Sequence, residues 1–143
     1  MEQENYINEL ETLVKLYAQE LDCALIELKY IGLLLDGALL KERIIKYQMK
    51  KIYIYGGSYL GIHLYQSLKG KVDIPAIIDK SGGSKVHVPD LRVIRIDEFF
   101  NLYDGEYVIA TLTNYFDEIK HDLTKVVSSE KILPIGEFLG GMI

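Results

Sequence analysis

An α/β fold built on a small doubly wound parallel sheet is what this sequence predicts, and three observations predict it. Residues 51–79, KIYIYGGSYLGIHLYQSLKGKVDIPAIID, run from an alternating apolar segment through a glycine-rich turn and a helical stretch to an apolar run ending in Asp79. After that point short apolar runs keep alternating with helical stretches, the pattern of strands joined by helical crossovers. Upstream of about residue 48 the period is helical throughout.

The helical region comes first in the chain. Residues 4 to 48 contain no Pro, and their first Gly is Gly32. Leu10, Val14, Tyr17, Leu21, Ala24, Leu28, Ile31 and Leu35 recur in alternating steps of four and three, which lays one apolar stripe along a helix. Leu13, Ala18, Leu25 and Leu34 widen the stripe where a two-stranded coiled coil usually carries charge. A broad stripe suits a helical hairpin or bundle, packed on the rest of the chain or on a second copy. Gly32 and Asp36-Gly37 mark the expected break, with a second helix over about 38–48. The expected organisation is therefore a helical region at 1–48 and a sheet domain at 49–143.

Within the sheet domain the expected strands are Ile52–Tyr55, Val72–Ile78, Leu91–Ile94, Tyr107–Thr111 and Ile132–Ile135. Helices are expected at about 59–69, 97–103 and 115–127, with Asp97 as N-cap of the second. Strands separated by helices pair in parallel through right-handed crossovers. Five strands in the order 3-2-1-4-5 give a Rossmann-like sheet, whose ligands bind at the carboxyl ends of the strands where the order reverses. That point falls between Gly56–Gly61 and Ala110-Thr111-Leu112-Thr113.

Composition narrows the function classes. With 49% apolar residues the chain is not a disordered one. A net charge of −5 argues against nucleic-acid binding, which needs clustered Lys and Arg. Glu27, Lys29 and Asp36 interrupt the most apolar stretch below the roughly 18 residues a membrane span needs. The N-terminus MEQENYINEL is acidic where a secretory signal is basic and then apolar. Cys23 is the single cysteine, so neither a disulfide framework nor a multi-Cys metal site is available. A cytoplasmic protein without membrane insertion is the expectation.

The glycine loop carries the ligand chemistry. Gly56-Gly57-Ser58-Tyr59-Leu60-Gly61 lies between a strand and a helix, where glycine permits a tight turn and the helix offers unpaired N–H groups to a pyrophosphate. The usual fingerprint has Gly at its first, third and sixth positions, and here the third holds Ser58, whose hydroxyl can donate to phosphate but whose Cβ stands where closest approach is wanted. Asp79, at the end of the second apolar run, is placed to accept from ribose hydroxyls, and Lys80 adds a neighbouring base. The alternatives are a turn kept only for strand–helix packing and an acid that only caps a strand end. The loop Ser81-Gly82-Gly83-Ser84-Lys85 is read as an ordinary connection, with closure over a ligand as the alternative.

Catalytic signals are thin. Tyr47-x-x-x-Lys51 and Tyr65-x-x-x-Lys69 match a dehydrogenase Tyr/Lys pair, but eleven Tyr in a Lys-rich chain make chance matches expected. His63, His87 and His121 are scattered, and Glu118, Lys120, His121 and Asp122 read as a solvated helix face. No catalytic constellation and no metal site is predicted.

KIYIYGGSYLGIHLYQSL, IPAIIDK, LRVIRIDEF, EYVIATLTNYFDEIKHDL and KILPIGEFL together resemble the small Rossmann-like modules of bacterial surface-glycan gene clusters. Those modules occur alone or fused to glycosyltransferases, and are similar to the nucleotide-binding portions of nucleotide-sugar dehydratases and sugar acyltransferases. The resemblance covers about residues 50–140, through the glycine loop Gly56–Gly61, the strand end Ile78-Asp79-Lys80 and the helix start Phe116-Asp117-Glu118-Ile119. It implies an accessory module of polysaccharide biosynthesis that binds NAD or a nucleotide sugar. The residues it implicates are Gly56, Gly57, Ser58, Tyr59, Leu60, Gly61, Asp79, Lys80, Ala110, Thr111 and Thr113. A glycosyltransferase or other glycan-assembly enzyme is the implied partner. Homo-oligomerisation through the N-terminal helices is a separate expectation, from the width of their apolar stripe. Two alternatives stand beside it: a fragment or subunit of a sugar-nucleotide oxidoreductase or dehydratase, and a structural adaptor acting through those helices.

Overall fold

The structure is a computed structural model that describes residues 2–82 and 88–141. Five parallel strands, β1 (Ile52–Tyr55), β2 (Ile77–Ile78), β3 (Val93–Ile94), β4 (Tyr107–Ala110) and β5 (Ile132–Pro134), form one sheet in the order β3-β2-β1-β4-β5. The helices are α1 (Glu2–Leu34), α2 (Gly37–Lys46), α3 (Tyr59–Leu68), α4 (Ile96–Leu102), α5 (Phe116–Leu123) and the short α6 (Ile135–Phe138). The α/β class and the strand order are those the sequence predicts.

The pleat sorts the strand side chains into two cores. Ile52 and Ile54 of β1 point to one face with Ile77, Ile109 and Leu133, where Leu60, Leu64 and Leu68 of α3 and Phe138 of α6 cover them. Tyr53 and Tyr55 point to the other with Ile78, Val108 and Ile132, under Phe99 of α4 and Ile119 and Leu123 of α5. A sheet covered on both faces needs apolar residues at successive positions, and all four residues of β1 are buried.

Several boundaries differ from expectation, each for a local reason. The second strand shrinks from Val72–Ile78 to Ile77–Ile78, because Pro75 lacks an N–H and interrupts the ladder; Val72 and Asp73 make only isolated bridges. The helix expected at 115–127 covers Phe116–Leu123 and follows a 3-10 turn, Thr113–Tyr115. Asp97 is not the N-cap of α4: Arg95 takes that position, and Asp97 and Glu98 sit in the first turn, where their charge complements the helix dipole.

Gly32 does not break α1, which continues to Leu34. The break comes at Asp36, whose carboxylate accepts the Leu39 N–H at 3.0 Å and caps α2. The α1 face carrying Ile26, Tyr30, Leu33 and Leu34 packs on the same core as Leu40, Met49 and Ile52. The wide stripe around Leu10, Val14, Tyr17 and Leu21 instead stays exposed.

Candidate functional site

At the carboxyl edge of the sheet β1 turns through Gly56, whose φ of +121° only glycine adopts without strain. Its N–H donates to the Ile78 carbonyl at 2.8 Å, fastening the turn to β2. A Cβ on Gly56 would collide with the Thr111 hydroxyl, and one on Gly61 would run into the Gly56 carbonyl. Both glycines are therefore demanded by the close approach of α3 to the turn and to the end of β4. Ser58 stands at the N-cap of α3, yet its side chain caps no first-turn N–H. Tyr59 is exposed, whereas the Leu60 side chain lies in the core.

Asp79 meets this loop. One carboxylate oxygen accepts the Gly57 N–H at 2.8 Å, and the other accepts the Ser81 N–H at 2.9 Å and the Ser81 hydroxyl at 2.6 Å. The acid read as a ribose acceptor thus also holds the glycine loop against the end of β2. Lys80 is exposed beside it. Across the edge, Ala110 is buried in the second core, and both the N–H and the hydroxyl of Thr111 donate to the Tyr55 carbonyl at 3.0 Å. Thr113 begins the 3-10 turn that leads into α5. Gly83, Ser84 and Lys85 of the connection after Asp79 lie outside the described residues, as does His87.

Between the end of β2 and the start of α5 opens a cavity of about 260 Å³, lined by Tyr55, Asp79, Lys80, Leu112, Tyr115, Glu118 and Ile119. Its walls are mainly apolar by area, as small-molecule sites usually are, with the charged Asp79, Lys80 and Glu118 among them. Tyr55 is 2% exposed, and its hydroxyl has no hydrogen-bond partner among the described residues. Burial, and then the charges of Asp122 and Asp79, raise the Tyr55 pKa, so the hydroxyl keeps its proton at neutral pH and can donate. Sequence reasoning named Asp79 and Lys80 here, placed Leu112 only in the segment at the strand-order reversal, read Glu118 as part of a solvated helix face and Ile119 as part of a helix start, and missed Tyr55 and Tyr115. The available signal was a Tyr at the last position of a strand buried on both faces, because its polar tip needs a partner.

Other motifs go elsewhere. Tyr47 packs edge-on against Tyr107, and Lys51 pairs with Glu106 at 3.1 Å. Tyr65 is a core residue with Lys69 over its ring, and His63 and His121 are exposed. Among the described residues no cluster of His, Cys, Asp and Glu is suited to a metal, and no helix is long and apolar enough to cross a membrane. One contact joins the long helix to the site: the Asn114 amide donates to Cys23 Sγ at 2.9 Å, tying α1 to the turn after β4. Comparison with known protein families and with curated proteins finds no match to this chain.

Proposed function

We propose that the chain is a nucleotide-binding accessory module that takes NAD or a nucleotide sugar at the carboxyl edge of its sheet. The observation that carries the proposal is the cavity beside Asp79, where a nearly dry Tyr55 hydroxyl faces no partner among the described residues. A buried hydroxyl without a hydrogen bond costs about 1–3 kcal/mol, and a ligand edge that supplies the bond recovers it. In this arrangement the phosphates meet the first turn of α3 at Ser58–Gly61, the ribose meets Asp79, and the base enters the cavity against Leu112 and Ile119.

The resemblance to glycan-cluster modules supports a role in bacterial surface-polysaccharide assembly, beside a glycosyltransferase or related enzyme in the cytoplasm. Catalysis, if the module belongs to a sugar-nucleotide oxidoreductase or dehydratase, then depends on groups from a partner chain. A purely adaptor role is the second reading, favoured by the exposed stripe of α1.

Thermal shift with NAD⁺, NADH, NADP⁺, UDP-sugars, GDP-sugars and CMP, followed by calorimetry on the best ligand, tests the proposal. A ligand at a hundred times its Kd stabilises the native state by about 2.7 kcal/mol, which in a domain of this size moves the midpoint by roughly 5–10 °C. No shift with any of them at millimolar concentration removes the nucleotide reading and leaves the adaptor.

A further inference from the structure

Most of α1 carries an apolar face that none of the described residues covers. Ile7, Leu10, Val14, Tyr17, Leu21 and Leu28 are 44–66% exposed. They line one side of a helix about 50 Å long at a rise of about 1.5 Å per residue. The module is held by a different face of the same helix, through Ile26, Tyr30, Leu33 and Leu34. Packing on the sheet domain takes only the C-terminal end of the stripe, at Ile31 and Leu34, and leaves its residues from Ile7 to Leu28 exposed.

We infer that this stripe is covered by the α1 of a second copy, running antiparallel. The area supports a copy of the chain as occupant. The six side chains, with Leu13 and Leu25 beside them, expose on the order of 800 Å² of apolar surface, about what each partner contributes to a standard stable interface. A monomer rarely leaves a contiguous patch of that size in water. The face also repeats at heptad spacing along its length, so two copies offer each other matching knobs and holes.

Charge sets the direction. Glu2, Glu4, Glu9 and Glu11 crowd the start of α1, and Lys15 is the only base before Lys29. Residues 37–51, which follow the far end of α1, carry Lys41, Lys46 and Lys50 against one acid, Glu42, besides Arg43 and Lys51, which are engaged by the Phe138 carbonyl and by Glu106. A parallel pair places the acidic ends of two copies side by side. An antiparallel pair brings each acidic end to the partner's basic segment and opposes the two helix dipoles favourably. The flanking Leu13 and Leu25 then meet the partner instead of water, which accounts for the width of the stripe.

The test uses the full chain in sedimentation equilibrium from 1 to 100 μM. The expected mass is twice that of the chain or an even multiple, and a single-copy mass at 100 μM overturns the inference. Leu21→Glu, on the exposed stripe, is expected to raise the dissociation constant at least a hundredfold with the circular dichroism of the sheet domain retained. Asn8→Glu adds the same charge off the stripe and is expected to leave the mass unchanged. Equal behaviour of the two variants overturns the assignment of the face. For direction, nitroxides are placed at Gln3→Cys in a Cys23→Ser background. An antiparallel pair separates them by about 40 Å, roughly 28 residues of helix, and a separation under about 20 Å overturns the orientation.

Discussion

The Gly57 amide donates a 2.8 Å hydrogen bond to the carboxylate of Asp79, tying the turn after β1 to the end of β2. Because the same carboxylate holds Ser81, one side chain ties the glycine turn and the segment after β2 together at the carboxyl edge of the sheet. Bonds to an ionised acceptor are worth about 1.5–3 kcal/mol each where they are shielded from water. Asp79→Ala is expected to lower stability in urea unfolding by about 2 kcal/mol, and Asp79→Asn by less, since its amide oxygen still accepts. An unchanged midpoint for Asp79→Ala means the acid does not anchor the loop.

The glycines of the loop and of the long helix have opposite roles. Gly61→Ala puts a methyl group into the Gly56 carbonyl, which is backbone and cannot swing away. Loss of cooperative unfolding, or a cost of several kcal/mol, is expected. Gly32→Ala places its Cβ in open space within α1, where Ala is favoured over Gly by about 1 kcal/mol, and is expected to stabilise by up to that amount. Paired denaturation curves decide it; a tolerated Gly61→Ala contradicts the close approach described above.

Much of this fold was legible because its information is local. Ile52–Tyr55 is a strand with the predicted ends, since an apolar run directly before a glycine turn leaves little choice. The shortening at Pro75 was legible in principle from the missing N–H. The exposure of the α1 stripe was not, because an apolar face looks the same in sequence whether its own chain or another covers it. Half of the site followed the same division. Gly56 and Asp79 announce themselves by residue type and order, whereas Tyr55, Leu112, Tyr115 and Glu118 come together only when the β2 end and α5 are set side by side.

Arg43 clamps the C-terminal helix onto α2. It is 8% exposed, its Nε donates to the Phe138 carbonyl at 2.5 Å, its terminal nitrogen reaches the Glu137 carbonyl at 3.3 Å, and its guanidinium lies over the Tyr47 ring. Arg43→Met leaves the buried Phe138 carbonyl without this donor, while the Glu137 carbonyl keeps the Gly140 N–H, and is expected to cost about 1–3 kcal/mol in urea unfolding. Arg43→Lys is expected to recover only part of this, because an ammonium cannot reproduce the planar fork. Full rescue by Lys contradicts that geometry.

Acid stability follows from Glu106 at the amino-terminal edge of the sheet. Burial alone raises its pKa. The hydrogen bond from the Asp104 amide at 2.7 Å, its own backbone and the Lys51 ammonium outweigh that and hold it below the ordinary carboxylate value. A depressed carboxylate contributes stability that is fully present above its unfolded value near 4.5 and is lost as pH falls through the folded value. Lys51 is shifted upward by its bond to Glu106, so its contribution is lost only at strongly alkaline pH. Glu106→Gln is expected to flatten the fall in thermal midpoint between about pH 5 and pH 3 and to leave the pH 6–9 plateau level. Parallel curves for the two proteins rule out Glu106 as a source of the acid slope.

Tyr55→Phe separates stability from binding. Phe keeps the ring, which fills the same space under α5, and removes a hydroxyl that has no hydrogen bond within the described residues. The unliganded protein is therefore expected to hold its stability or gain up to about 1 kcal/mol. If the hydroxyl bonds a bound nucleotide, affinity moves the other way, by about 0.5–1.5 kcal/mol, a roughly 2- to 12-fold weaker Kd in calorimetry. A merely structural Tyr55 predicts the reverse pairing, with stability lost and affinity unchanged. The two signs together identify whether this tyrosine serves the cavity or only the core.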